Sequence, residues 1–358
     1  MREGKTAFIT GITGQDGPYL ARLLLQKGYK VHGLKPYCVH EDDHNLVKLL
    51  GADYKKNPDL HLHYGDMTDG GNLLRLITQI CPDEIYNLAA MSHVAVSYEM
   101  PEYTANANAL GTLRLLEAIR TLGLKDKTRF YQASTSELFG NQPPPQSEIT
   151  PLDPLSPYAA AKAYAYTTTK LYRESYGIYA INGILFNHES PLRGEDFVTR
   201  KIAKSVCNIE AGLQDVVTLG NLDAKRDWGH ADDYVRGMWL MLQQDTPQDF
   251  VLATGTSYSV RDCVTLAFRQ IGVFLDWTGK DKEETGTDTR TGKTRVAIDP
   301  CLFRPLEVEF LCGDSTKARQ EMGWFPSTTL SQILREMIEH ERADLEDLKK
   351  DSSFSKSN

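Results

Sequence analysis

The sequence predicts an α/β fold: a doubly wound, mostly parallel sheet followed by a smaller C-terminal domain. Three observations carry that expectation. Short apolar, β-branched segments alternate with helical patterns of about 10 to 17 residues through the first half of the chain. A glycine-rich turn joins the first of those strands to the first helix. After Asn187 the strict alternation gives way to short apolar pieces between loops rich in Asp, Gly and Arg.

Thr6–Thr10 reads as a strand that runs into Gly11. Tyr19, Leu20 and Leu23–Leu25 then give a helix one apolar face, and Gly28 stops it. Tyr29–Leu34, Leu60–Tyr64, Glu84–Leu88 and Thr128–Ala133 read as further strands, with helices over Leu73–Ile80 and Ala107–Leu122. The prolines between Gln142 and Pro157 exclude a helix or central strand and predict an ordered loop over the sheet. A helix begins near Pro157, whose fixed φ suits a first helical turn. It passes Tyr172 and is followed by a strand over Tyr179–Phe186. Residues 279–293, crowded with Lys, Asp, Glu, Thr and Gly, predict a mobile, solvent-exposed loop. Leu330–Leu348 is a final amphipathic helix, 351–358 reads as a frayed tail, and there is no internal repeat.

At 358 residues the chain exceeds the usual ceiling for one growing core. Its 40 Lys and Arg face 48 Asp and Glu, a formal charge of -8, which disfavours non-specific nucleic-acid binding. The six cysteines (Cys38, Cys81, Cys207, Cys263, Cys301, Cys312) match neither a disulfide framework nor a zinc site and point to a reducing compartment. No apolar run approaches membrane-spanning length, and the N-terminus enters its first strand without room for a signal peptide. The expectation is a cytoplasmic protein.

The turn between the first strand and helix is Gly11-Ile12-Thr13-Gly14-Gln15-Asp16-Gly17, spaced Gly-x-x-Gly-x-x-Gly. Gly11 permits a sharp turn, Gly14 close approach of a pyrophosphate, and Gly17 close helix packing. Unsatisfied N–H groups at the helix start then meet the anion. This predicts a Rossmann-like dinucleotide site; an ordinary glycine-rich turn is the competing account. Asp66, past the third strand, stands where the adenine side is contacted, or else caps a helix. The second strand ends at Lys35 without a carboxylate, which favours NADP over NAD unless the downstream Glu41-Asp42-Asp43 folds back toward it.

Tyr158 and Lys162 lie one helical turn apart, so they share a face. A neighbouring ammonium favours phenolate, which makes the pair a base for a hydroxyl that loses hydride. Ser134-Thr135-Ser136-Glu137 follows the fifth strand, where strand ends face a ligand crevice. Thr135 can hydrogen-bond the oxygen undergoing redox. Glu137 can take a proton from the carbon beside a newly formed ketone; a capping box explains the same four residues equally well. Arg193, Lys201, Arg226 and Arg304 are either anion binders or solvated charges. His188 lacks the partners of a metal ligand. Trp228 is expected to pack in the smaller domain or to shape the nucleotide pocket.

These motifs together resemble the GDP-sugar 4,6-dehydratases of the extended short-chain dehydrogenase/reductase superfamily. The likeness rests on Thr10–Gly17, Ser97–Thr104, Ala133–Gly140 and Ser156–Lys162. Its most specific pieces are Asn182–Pro191 and Arg226-Asp227-Trp228-Gly229-His230. The resemblance implies an NADP-binding domain over 1–186, with later segments returning to it, and a mainly GDP-sugar-binding domain over 187–350. It implies that Thr135, Glu137, Tyr158 and Lys162 are catalytic. The cofactor side would comprise Gly11, Gly14, Gln15, Asp16, Gly17, Lys35, Asp66, Met67, Leu88, Ala89, Ser92, Tyr103, His188 and Arg193, with Tyr158 and Lys162. The GDP-mannose side would comprise Ser92, Asn187, Lys201, Gly220, Arg226, Arg304 and Glu307.

The implied reaction oxidises C4, eliminates water across C5 and C6, and returns the hydride to C6, in a homodimer or homotetramer. The chain departs from the family pattern where paired arginines usually follow the second strand; here Lys35-Pro36-Tyr37-Cys38 stands. It also carries Leu192 where the family has a second arginine beside Arg193, which removes a charge near the site. A GDP-manno-heptose dehydratase shares the chemistry, a 4-epimerase shares the fold but has no use for Glu137, and a non-catalytic nucleotide-sugar sensor would need none of the four catalytic residues.

Overall fold

The computed structural model describes residues 4–38, 43–303 and 306–355. The first half alternates as β1 (Thr6–Thr10), α1 (Asp16–Gln26), β2 (Lys30–Lys35), α2 (His44–Leu50), β3 (Leu60–Tyr64), α3 (Gly70–Ile80) and β4 (Glu84–Asn87). Then come α4 (Val94–Glu99), α5 (Pro101–Thr104), α6 (Gly111–Thr121), β5 (Arg129–Thr135), α7 (Pro157–Tyr176) and β6 (Ala180–Leu185). The second half runs β7 (Asn187–Glu189), α8 (Val198–Glu210), β8 (Val217–Leu219), β9 (Lys225–His230), α9 (Ala231–Leu242), β10 (Phe250–Leu252), β11 (Ser257–Ser259) and α10 (Val260–Gln270). It closes with β12 (Leu275–Thr278), β13 (Thr285–Asp288), β14 (Thr294–Ile298), α11 (Thr316–Met322) and α12 (Leu330–Ser355).

Seven strands form one sheet in the order β10-β6-β5-β4-β1-β2-β3. Every neighbouring pair is parallel. Covered on both faces, the central strands carry no solvent side, which is why Ala7, Phe8 and Ile9 are fully buried. From β1 the chain winds outward through β2 and β3, then restarts at β4 and winds the other way. The crevice between the carboxyl ends of β1 and β4 is therefore the topological switch point. Later segments return to this layer: α9 and β10 share a core cluster with residues of β1 and α1.

A second cluster joins α8, α10 and α12 to Val217, Trp228 and Val296. The strands of this region form two small sheets, β11-β9-β7 and β12-β13-β14-β8. Trp228 is 2 % exposed within that cluster and also lines the cavity at the switch point, so both expectations for it hold.

Three local expectations are corrected. Residues 279–293 hold β13, which pairs with β12 and β14, and the Asp288 side chain is buried against the backbone N–H of Arg290. Gly286 sits against the Trp277 ring, so a strand built from Thr and Gly packs without apolar side chains of its own. The expected tail is helical to Ser355, because α12 continues past Leu348. The helix read over Ala107–Leu122 opens with a wider π turn over Ala105–Leu110 before α6 begins.

Candidate active site

One cavity of about 1560 Å³ opens at the switch point. It exceeds the roughly 300–1,000 Å³ of a single-ligand cleft. Residues following β1, β2, β3, β4, β5 and β6 all line it, and so do residues of α8 and β9. Of the site residues read from the sequence, all line this cavity except Lys35 and Arg304. Arg304 lies outside the described residues.

Glycine is required at two positions of the β1–α1 turn, Gly11 and Gly17. Gly11 has φ +72°, and a Cβ there would stand 2.9 Å from the Ala89 backbone. At Gly17 it would stand 2.4 Å from the Ile12 carbonyl oxygen, whereas at Gly14 it would meet only Gly11 O, at 3.3 Å. The turn is seated from below: Thr10 Oγ1 donates to Asn87 Oδ1 (2.7 Å), and Asn87 Nδ2 donates to Gln132 Oε1 (2.8 Å). That chain ties the ends of β1 and β4 to the middle of β5, while Asp16 starts α1 with its first-turn N–H groups at the cavity. Two buried polar atoms of the wall, Ser134 Oγ and Asn187 Oδ1, have no partner among the described residues. A dinucleotide and a nucleotide sugar fit such a cradle.

Lys35 stands apart because strand alternation turns Leu34 to the cavity and Lys35 to the other face. Its ammonium bonds Asp43 Oδ1 at 2.6 Å, and Tyr54 OH donates to the other oxygen at 2.5 Å. Burial opposes ionisation of Asp43, but the bonds from Lys35 and Tyr54 hold its carboxyl below the usual range.

The start of α7 is built from several elements. Ser156 accepts from Ala159 N (3.0 Å) as N-cap, and Pro157 opens the helix. Ser97 Oγ accepts from Tyr158 N (3.2 Å), and Tyr98 OH donates to Leu155 O (2.9 Å). Tyr158 and Lys162 are thereby fixed at the cavity wall, 8 % and 3 % exposed. Thr135 ends β5 and accepts from Glu137 N (3.2 Å), so it caps the short 3-10 turn that presents the buried Glu137 carboxylate. Capping and chemistry coexist in these residues.

The electrostatics differ from the expectation that Lys162 depresses the Tyr158 phenol. Lys162 Nζ donates to Ala133 O (2.8 Å), and burial brings its own pKa down to about 8. Burial pushes the Tyr158 phenol up to about 12; a hydrogen bond with Thr135 opposes this, the Glu137 charge adds to it, and Arg193 opposes it. The Arg193 charge thus opposes the burial of the phenol, while Lys162 Nζ lies 5.8 Å from the centre of the Tyr158 ring. On the far side, Arg226 bonds Glu307 Oε1 (2.9 Å). Gly220 admits the Leu302 carbonyl, which a Cβ would meet at 2.8 Å. Among the described residues no cluster of three or more His, Cys, Asp and Glu is arranged to hold a metal ion.

Sequence reasoning missed Asn45. Its Nδ2 donates to Thr13 O and Gly14 O, both at 3.1 Å, and reaches Leu192 O at 3.5 Å. One carboxamide on α2 therefore braces the glycine turn against the segment before Arg193. Asn45→Ala is expected to weaken dinucleotide binding about tenfold, the worth of roughly one net hydrogen bond. A fluorescence titration with reduced dinucleotide reads this, and unchanged affinity removes the bracing role. Leu192 packs in the core, 5 % exposed.

A family model described as GDP-mannose 4,6 dehydratase matches residues 8–337. The chain is 58% identical over 339 residues to a GDP-mannose 4,6-dehydratase of Sinorhizobium fredii, covering 94% of this chain and 97% of that one. It is 52% identical to a human GDP-mannose 4,6 dehydratase, covering 95% and 91%. Among solved structures, dTDP-glucose 4,6-dehydratase DesIV of Streptomyces venezuelae with NAD and TYD bound has TM-score 0.77 at 24% identity, over 95% and 97% of the two chains. RMD of Pseudomonas aeruginosa complexed with NADPH has TM-score 0.74 at 21% identity, over 95% and 98%.

Proposed function

The chain belongs to the GDP-mannose 4,6-dehydratase family, and from that premise we propose that it converts GDP-D-mannose into GDP-4-dehydro-6-deoxy-D-mannose and water. The observation that carries the reading is the meeting of Thr135, Glu137 and Tyr158 with a glycine-rich dinucleotide turn in one cavity. A phenol suffices for simple hydride transfer; a second base, here the buried Glu137 carboxylate, is what an elimination requires.

A bound nicotinamide supplies the hydride acceptor at C4 and the return of that hydride to C6. The chain's own residues do the rest. Tyr158 takes the C4 hydroxyl proton while Thr135 holds the C4 oxygen. Glu137 takes the C5 proton, made acidic by the adjacent ketone, and delivers it to the departing C6 hydroxyl as water. Tyr158 then returns its proton to C5. Lys162 holds the dinucleotide ribose, and Arg193 favours the phenolate against burial. Arg226, Lys201 and Asn187 bind the GDP-sugar.

The dinucleotide in this reading is NADP, since β2 ends without a carboxylate and Asp43, which folds back beside it, is already paired with Lys35. Tighter binding of NAD than NADP in parallel titrations would reverse that choice. The chain acts as a homodimer or homotetramer, which exposed Tyr164, Leu171 and Tyr176 on α7 support. Six free cysteines suit the cytoplasm.

The test is incubation of purified protein with GDP-mannose, with product followed by mass. Loss of one water without net accumulation of reduced dinucleotide is expected. Unchanged mass points to epimerisation or no reaction and sinks the assignment. GDP-manno-heptose in a parallel arm asks about the sugar alone, and faster turnover there moves the substrate while keeping the chemistry.

A further inference from the structure

We propose that Asp16 and His188 form a charged clasp, with His188 held as the doubly protonated imidazolium, that locks the dinucleotide turn to the strand beginning the sugar site. His188 Nδ1 lies 2.8 Å from the Phe186 carbonyl oxygen. A carbonyl only accepts, so Nδ1 carries hydrogen. Nε2 lies 2.8 Å from Asp16 Oδ2, and the other Asp16 oxygen accepts from Gln15 Nε2 at 3.1 Å. Asp16 is held ionised, and an ionised carboxylate only accepts, so the Nε2 facing it carries hydrogen as well. The Tyr234 ring stacks on the imidazole at 4.5 Å and fixes its plane.

Burial opposes both charges. The His188 charge and hydrogen bond outweigh it at Asp16 and hold that carboxyl below its ordinary value. The Asp16 charge and the Phe186 carbonyl outweigh it at His188 and hold the imidazole above its ordinary value. The surrounding groups are Arg193, which disfavours the imidazolium but is itself paired with Glu189 at 3.1 Å, and the buried phenols of Tyr131 on β5 and Tyr234 on α9. Burial pushes both phenols well above their ordinary value, so they stay neutral.

The clasp answers two physical problems. Asp16 is the first residue of α1, where the helix terminus attracts an anion, and an uncompensated carboxylate there would repel a diphosphate. His188⁺ cancels it. The clasp also sets the two halves of the cavity in register. Gln15 Nε2 donates to His188 O (3.0 Å) and Ser190 Oγ donates to Gln15 Oε1 (3.2 Å). His188 sits in β7, opposite Gly229 of β9, the strand that carries Arg226. Because His188 is shifted up, the clasp is intact at lower pH and opens as pH rises through its raised value. Because Asp16 is shifted down, it also opens as pH falls through that depressed value.

The inference rests on the dinucleotide reading of the turn, but its first test needs no turnover. Nitrogen-15 NMR of the full chain, with the His188 signal assigned by its loss in His188→Gln, is expected to find both ring nitrogens protonated at neutral pH. Asp16→Asn is expected to leave His188 neutral there and to weaken NADPH binding about tenfold, with Asp16→Glu restoring most of it. The Asp16→Asn/His188→Gln double variant is expected to bind no worse than the weaker single variant, since the two residues act as one unit. In wild type, NADPH affinity is expected to fall at alkaline pH, and in the double variant that fall is expected to be absent. A neutral wild-type His188, or additive losses in the double variant, overturns the proposal. A protonated His188 in a protein inert toward GDP-mannose keeps the clasp and removes only the substrate assignment.

Discussion

Glu137→Gln is expected to slow water loss from GDP-mannose by about 10²–10⁴-fold, the usual worth of a general acid–base group. The amide keeps the size of the side chain, and the backbone N–H of Glu137 stays bonded to Thr135, so the 3-10 turn survives. What disappears is the capacity to accept the C5 proton and pass it to the leaving hydroxyl. Oxidation at C4 does not need that capacity. The variant is therefore expected to bind dinucleotide normally and to accumulate its reduced form when mixed with substrate, with little exchange of solvent deuterium into C5. Stopped-flow absorbance and product mass check this together. Dehydration near the wild-type rate would remove Glu137 from the mechanism.

Tyr158→Phe is expected to cost a similar factor but at an earlier step. The buried ring keeps its packing, so folding is little affected, while the hydroxyl proton of C4 has no acceptor. This variant is expected to show no transient reduction of the dinucleotide, which separates it from Glu137→Gln. The pH dependence follows from the phenol. Burial raises its pKa to about 12, so the reactive phenolate is scarce near neutrality and wild-type turnover rises with pH. The residual activity of Tyr158→Phe is expected to lack that rise. A Phe variant that still reduces the dinucleotide at the wild-type rate would transfer the base role elsewhere.

Strands β1 to β6 are legible because each is a short segment with buried apolar positions, bounded by turn residues and alternating with helical patterns. The glycine turn is legible for the same kind of reason, since its backbone has no room for a Cβ. Legibility fails where packing partners are remote. β13 is polar in sequence and becomes a strand only because β12 and β14 flank it. Lys35 looks like a phosphate ligand in the chain, yet alternation and Asp43 turn it away from the cavity. Asn45 carries no motif; its role exists only because Thr13, Gly14 and Leu192 converge on it.

By itself the sequence determined the layer architecture, the dinucleotide turn and the set of groups capable of the chemistry, because these follow from local pattern and residue type. The tertiary structure alone decided which charges act on which groups. It set Lys162 on a backbone carbonyl, placed the Arg193 charge where it opposes burial of the Tyr158 phenol, and closed Asp16 onto His188. Coulombic and hydrogen-bonding effects depend on distances between residues far apart in the chain, and only folding makes those distances short.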